Sequence, residues 1–108
     1  MRDPRQATNL YRVAYSQECE REIRELHAYI TLEKSYLVAT QYIRRLKTFC
    51  KSMAIAPHRG EHRPGLAEQQ RTIGFEGRIS IVFRVYDEQK LVRITGIRYG
   101  GRSLDQNE

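Results

Sequence analysis

Three groups of side chains in this sequence have the types and spacing for chemistry. His58 and His62 lie four apart in HRGEH, the interval that on a helix would bring two imidazoles to one face as zinc ligands. Pro57, Gly60 and Pro64 argue against a helix there, and no Cys or further His is near enough in sequence to complete a tetrahedral site, so no metal is expected. The chain has two cysteines, Cys19 and Cys50. Both fall on apolar stripes of expected helices and read as small buried residues rather than as a disulfide framework or a reactive thiol.

The third group is basic: Arg71, Arg78, Arg84, Arg93, Arg98 and Arg102, with Tyr86 and Tyr99 among them. A guanidinium fork binds phosphate or carboxylate through two parallel hydrogen bonds, and a tyrosine adds stacking or a hydroxyl. Most of these arginines are expected on the solvated faces of strands. Arg98, Tyr99 and Arg102 stand apart because they crowd around Gly100-Gly101, where a backbone without side chains bends sharply and admits a partner.

Other chemistry lacks its parts. Ser16 reads as a helix cap and Ser103 follows the glycines, so neither sits in a strand-turn-helix elbow. Gly96, Gly100 and Gly101 end a strand and precede no helix, unlike a phosphate-cradling loop. The acidic residues cluster in the first helix and the turns, with no paired carboxylates inside an apolar element. His27 is expected at the border of the core rather than as a catalyst. No cofactor is implied, and the reading is of a binding protein rather than an enzyme.

Charge and size agree. Lys and Arg number 19 against 13 Asp and Glu, a net charge of +6 over 108 residues. Such a surplus favours an acidic partner, either nucleic acid or an acidic protein segment. The length and an apolar share of 40% suit one domain with one core. No apolar run approaches the roughly 20 residues of a membrane span, and residues 1–10 carry no signal-like apolar stretch. A cytoplasmic protein with no membrane contact is expected.

The elements that must position these residues follow from periodicity. Residues 1–9 read as a flexible arm. Leu10 to Tyr15 alternates as a short strand. Ser16 caps a helix whose first turn is acidic and whose stripe is Cys19, Ile23, Leu26 and Ile30. A second helix begins near Ser35, with Ala39, Tyr42, Ile43, Leu46, Phe49, Cys50 and Met53 on one face. It carries Arg44, Arg45, Lys47 and Lys51 and no acidic residue between Tyr36 and Ala54. Pro57 ends it, and the short link makes a helical hairpin. Residues 57–70 form a loop. Strands follow at Arg71 to Phe75, Arg78 to Tyr86 and Lys90 to Tyr99, joined by a tight turn at Glu76-Gly77 and another at Asp87 to Gln89. The order is β-α-α-β-β-β, an α+β domain over residues 10–105 with the hairpin packed on a small, mainly antiparallel sheet. Residues 106–108 read as a frayed tail.

At the level of motifs, RTIGFEGRISIVFRV followed by LVRITGIRYGGRSL, together with MAIAPHRG and RPGL, resembles the RelE/ParE superfamily of type II toxin–antitoxin toxins. The resemblance runs over residues 10–105. It implies a small toxin held in a hetero-oligomer by a cognate antitoxin, whose flexible, partly acidic segment folds over it. RelE-like members cleave messenger RNA on the ribosome with Lys and Arg on the middle strands plus an Arg and a Tyr near the C-terminus; ParE-like members poison DNA gyrase and lack that set. Here the second strand offers Arg71 and Gly74, the third offers Ser80, and no tyrosine follows Arg102. The AEQQ stretch before the second strand reads as an insertion. The resemblance therefore implies the ParE-like branch, a gyrase inhibitor contacting its target through Arg98, Tyr99 and Arg102, with Arg71 and Arg63 as further contacts. Two alternatives stay open: a RelE-like ribosome-dependent endoribonuclease using His58 and His62 for proton transfer, or a non-toxic relative that only binds antitoxin.

Overall fold

Local signals start each element where the sequence places them. The structure, a computed structural model, describes residues 10–62 and 70–99. Strand β1 (Arg12–Tyr15) feeds into α1 (Gln17–Glu33), capped by the Ser16 hydroxyl, which accepts from the Cys19 amide at 3.0 Å. The Ser35 hydroxyl does the same for α2 (Tyr36–Lys51) through the Val38 amide at 3.1 Å. Each cap satisfies an amide that the first helical turn leaves without a partner. A short 3₁₀ turn, Ser52–Ala54, completes α2 and carries Met53 into the core. Among the described residues no helix is long and apolar enough to cross a membrane.

Strands β2 (Gln70–Phe75), β3 (Ile79–Tyr86) and β4 (Leu91–Tyr99) form the expected meander. Glu76 and Gly77, with φ of 53° and 72°, turn β2 into β3; the Arg78 amide closes the turn on the Phe75 carbonyl at 3.1 Å, and three residues separate the paired Phe75 and Ile79. The sheet order is β1-β4-β3-β2, with β1 parallel to β4 and the other pairs antiparallel. This is the α+β arrangement expected, two helices on a four-stranded sheet.

Alternation along β3 puts Ile79, Ile81, Phe83 and Val85 against the helices. Ile94 and Ile97 from β4 join them, with Cys19, Ile23 and Leu26 of α1 and Leu46, Cys50 and Met53 of α2. Both thiols are buried, and burial raises them, Cys19 to about 12 and Cys50 to about 11. They are protonated core residues, as their place on the stripes implied.

One irregularity positions the site. The β3–β4 register shifts between Val82 and Phe83, leaving Thr95 as an extra residue on β4, a bulge. The Thr95 hydroxyl donates to the Val82 carbonyl at 3.3 Å, and the Ser16 hydroxyl donates to the Thr95 carbonyl at 3.3 Å. The bulge thus sits where the chain leaves β1 for α1.

Candidate functional site

Strand β1 ends at Tyr15, opposite Ile94, so among the described residues β4 has no neighbouring strand on that side from Thr95 onward. Two side chains take the missing strand's place. Glu22 of α1 accepts from the Ile97 amide at 2.9 Å, and Arg98 curls back to donate to the Ile97 carbonyl at 3.0 Å. They meet at 3.6 Å, with a third and a quarter of their side-chain surfaces exposed. Gly96 makes this possible: a Cβ there would lie 2.7 Å from the Arg98 guanidinium and 3.3 Å from the Glu22 carboxylate. Arg98 is therefore an edge cap as well as a surface cation.

Its neighbour Tyr99 is placed on the core side of β4. It is 6% exposed and packs against Tyr29, with ring centroids 6.0 Å apart. There it forms the back wall of a groove of about 450 Å³ between the helical hairpin and the ends of β3 and β4. Leu26, Ile30, Val38, Tyr42 and Ile79 supply the rest of the apolar lining. Arg45 closes one end with a two-pronged bond to Glu76, at 2.8 and 3.1 Å. That bond holds the Glu76 carboxyl below its ordinary value. The same guanidinium lies 5.2 Å from the Tyr42 ring centroid. The Tyr42 hydroxyl is buried with no hydrogen-bond partner among the described residues, an arrangement that costs free energy until a partner is supplied. Beyond the groove the hairpin tip exposes Leu32, Tyr36 and Leu37 at 87%, 70% and 63%, a larger apolar display than scattered surface residues make.

Arg71 is engaged elsewhere. Its fork donates to the carbonyls of Arg59 and His58 at 3.0 and 3.1 Å, holding the loop before β2. Glu61 and Thr72 exchange two backbone bonds of 2.9 Å each beside it. Gly60 passes so close that a Cβ would lie 2.3 Å from the Thr72 carbonyl oxygen. Arg71 pairs with Phe83 and Arg98 with Ser80, and directly paired residues share a face. The two arginines therefore project from opposite faces of the sheet. Arg63 and Arg102, with Gly100 and Gly101, lie outside the described residues, as do the expected N-terminal arm and tail.

His58 meets Asp87 at 2.9 Å, and Tyr11 donates to the same carboxylate oxygen at 2.6 Å. The tyrosine hydrogen bond, aided by His58, holds the Asp87 carboxyl below its usual range. Among the described residues no three His, Cys, Asp or Glu side chains gather as a metal site would require. His27, half-buried, bonds Thr40 across the hairpin at 3.0 Å, a border residue as expected.

The groove and the Glu22 cap are the parts that sequence reasoning missed. A local signal for the groove existed: Leu32, Leu37 and Val38 flank the hairpin turn off the core stripes. Glu22 gave none, because its partner lies 75 residues away.

Comparison with known proteins adds the identity. The profile of the family described as "ParE toxin of type II toxin-antitoxin system, parDE" matches residues 13–104. No curated protein matches the sequence. Among solved structures, the chromosomal ParDE toxin–antitoxin system of P. aeruginosa is similar with a TM-score of 0.71 at 16% identity, covering 83% of this chain and 96% of that one. The RelBE2 toxin–antitoxin complex of Mycobacterium tuberculosis gives 0.64 at 17% identity, over 84% and 92% of the two chains. The isolated E. coli RelE toxin gives 0.61 at 15% identity, over 90% and 92%. At those identities the structures speak for the fold; the profile, spanning β1 through the end of β4, shows that this chain belongs to the ParE toxin family of type II toxin–antitoxin systems.

Proposed function

We propose that this toxin acts by binding, that its target is DNA gyrase, and that a cognate antitoxin silences it by laying an apolar segment into the groove. The observation that carries the choice of a binding inhibitor over a ribonuclease is the engagement of the cations. Cleavage through a ribose hydroxyl needs charge stabilisation of a pentacoordinate phosphate and two proton transfers. Arg71 spends its fork on backbone carbonyls, Gly74 has no side chain, and Ser80 stands where an arginine would help. Arg98, held at the open edge of β4 by Glu22, together with Arg102, is the proposed target contact, with Arg63 as a weaker member; Arg71, on the opposite face and bound to the loop, is left out of it. Tyr99 contributes from the core face, where it walls the groove behind the strand end that carries Arg98.

For the antitoxin, support comes from the groove's apolar lining, its continuity with Leu32 and Leu37, and the Tyr42 hydroxyl, which has no partner among the described residues. An amphipathic helix laid in such a groove buries anchors at helical spacing, and one polar group on it would satisfy Tyr42. The ParDE and RelBE structures are those of toxin–antitoxin assemblies, which supports an antitoxin partner here.

One observation favours a second reading. His58, oriented by Asp87 and flanked by Tyr11, is a group of the kind that general acid–base catalysis uses, and it would serve a ribosome-dependent endoribonuclease. Purified protein added to gyrase and relaxed plasmid separates the two. The binding reading expects supercoiling to fall, with relief on adding antitoxin. Unimpeded supercoiling, with messenger cut in a ribosome-containing translation mix, would establish the nuclease.

A further inference from the structure

The two helices of the hairpin divide charge unevenly. Helix α1 carries Glu18, Glu20, Glu22, Glu25 and Glu33 against Arg21 and Arg24. Helix α2 carries Arg44, Arg45, Lys47 and Lys51 and no carboxylate at all. Arg45 turns to Glu76 at the groove. The other three are exposed, and none forms an ion pair among the described residues. At positions i, i+3 and i+7 they share one face, with Thr40, Ile43 and Thr48, around a shallow open depression of about 400 Å³. Lys51 lies in the last turn, where the helix dipole alone favours a cation; Arg44 and Lys47 stand further from the end, where that effect has faded. Three like charges on neighbouring positions of one helix face repel one another, so this face is better satisfied against an anion.

We infer that the outer face of α2 is a docking surface for the phosphate backbone of duplex DNA, separate from the groove and from the β4 edge. Charge complementarity points to a polyanion. Between an acidic protein and a nucleic acid, the anchors decide: the only sizeable apolar side chain on this face is Ile43, half-buried against the core, whereas a folding protein segment needs apolar pockets of the kind the groove supplies. Between duplex and single strand, aromatic surface decides. Bases of a single strand stack on rings, and the rings of α2, Tyr42 and Phe49, pack on the core instead. From Arg44 to Lys51 the stripe rises about 10 Å. Duplex DNA offers a charge per about 1.7 Å of its axis, so three cations on this stripe have phosphates within reach, with the Thr48 hydroxyl as a neutral donor between them.

The surface does not depend on which enzyme the toxin stops, and its test reads DNA binding alone. Anisotropy of a labelled duplex of about two helical turns is measured against the purified full-length chain across a salt series. Three phosphate contacts predict a log–log salt slope near −2.7, a loss of about 40-fold in affinity between about 50 and 200 mM salt. Arg44→Gln/Lys47→Gln/Lys51→Gln, with all three side chains exposed, is expected to weaken binding at least tenfold and flatten the slope. Arg12→Gln/Arg84→Gln/Arg93→Gln removes the same charge from the outer sheet face and is expected to change affinity less than threefold. Circular dichroism confirms that both variants fold; should the helix variant misfold, single Gln substitutions, each taking about one unit from the slope, replace it. Equal losses in the two triple variants would reduce the effect to net charge and overturn the proposal. So would absence of duplex binding at low salt, or tighter binding of poly-glutamate than of DNA.

Discussion

Helices α1 and α2 bury nearly the same kind of face and present opposite kinds of surface. Inward, both place a Cys, a Leu and further apolar residues on the sheet. Outward, α1 is acidic and spends Glu22 on the β4 edge, while every charged residue of α2 is basic. Where the two meet at the hairpin tip, neither charge prevails and the surface is apolar. The lesson is that one core can carry three exteriors of different chemistry, each suited to a different contact.

Substitutions on the two sides of α2 should give the largest contrast. Leu46 is fully buried, and Leu46→Ala is expected to cost about 2–5 kcal/mol in a urea melt. Lys47→Ala, one residue on, should stay within about 0.5 kcal/mol. Equal costs would mean that the outer face contributes to stability after all.

The hairpin tip should respond next, and in binding rather than folding. Val38→Glu puts a charge into the apolar groove. It is expected to weaken antitoxin by about 2 kcal/mol, or roughly 30-fold by calorimetry, with the melting temperature unchanged. An unaltered affinity would move the antitoxin away from the groove.

A smaller difference separates the two N-caps. Both serines accept from the third amide of their helix, but Ser16 is buried and also reaches the bulge at Thr95. Ser16→Ala is expected to cost about 1–2 kcal/mol, and Ser35→Ala about 1 kcal/mol or less. The reverse order in thermal melts would remove the structural role given to the bulge.

The gentlest probe is alkali. Cys19 and Cys50 are raised from an ordinary 9.0 to about 12 and about 11, first by burial. The folded state keeps their protons where the unfolded state has lost them. This contribution is whole below pH 9 and disappears as pH rises through about 11 to 12. Native protein at pH 8 should resist iodoacetamide, and both thiols should react once stability falls above pH 9. Rapid labelling at pH 8 would place the sulfurs nearer the surface.

These contrasts also mark how far the sequence could be read. The serine caps, the Glu76-Gly77 turn and the alternation of β3 are local, so neighbouring residues announce them. The parallel pairing of β1 with β4 is not local, nor is the hold of Arg71 on the loop or of Glu22 on Ile97. Each joins segments whose patterns say nothing of one another. Tyr99 is intermediate. Its place beside the glycines suggested an exposed cluster, yet it follows Ile97 by two and pairs with Ile79, and that parity assigns it to the core. The bulge at Thr95 leaves no trace in a sequence read by alternation alone.

On the function proposed above, the toxin stops growth by docking and breaks no bond itself. Inducing the chain without antitoxin, then following plasmid topology and messenger integrity in the same cells, tests it directly. Relaxed or cleaved plasmid with messengers intact is the result expected; messengers cut while plasmid supercoiling stays normal would contradict it.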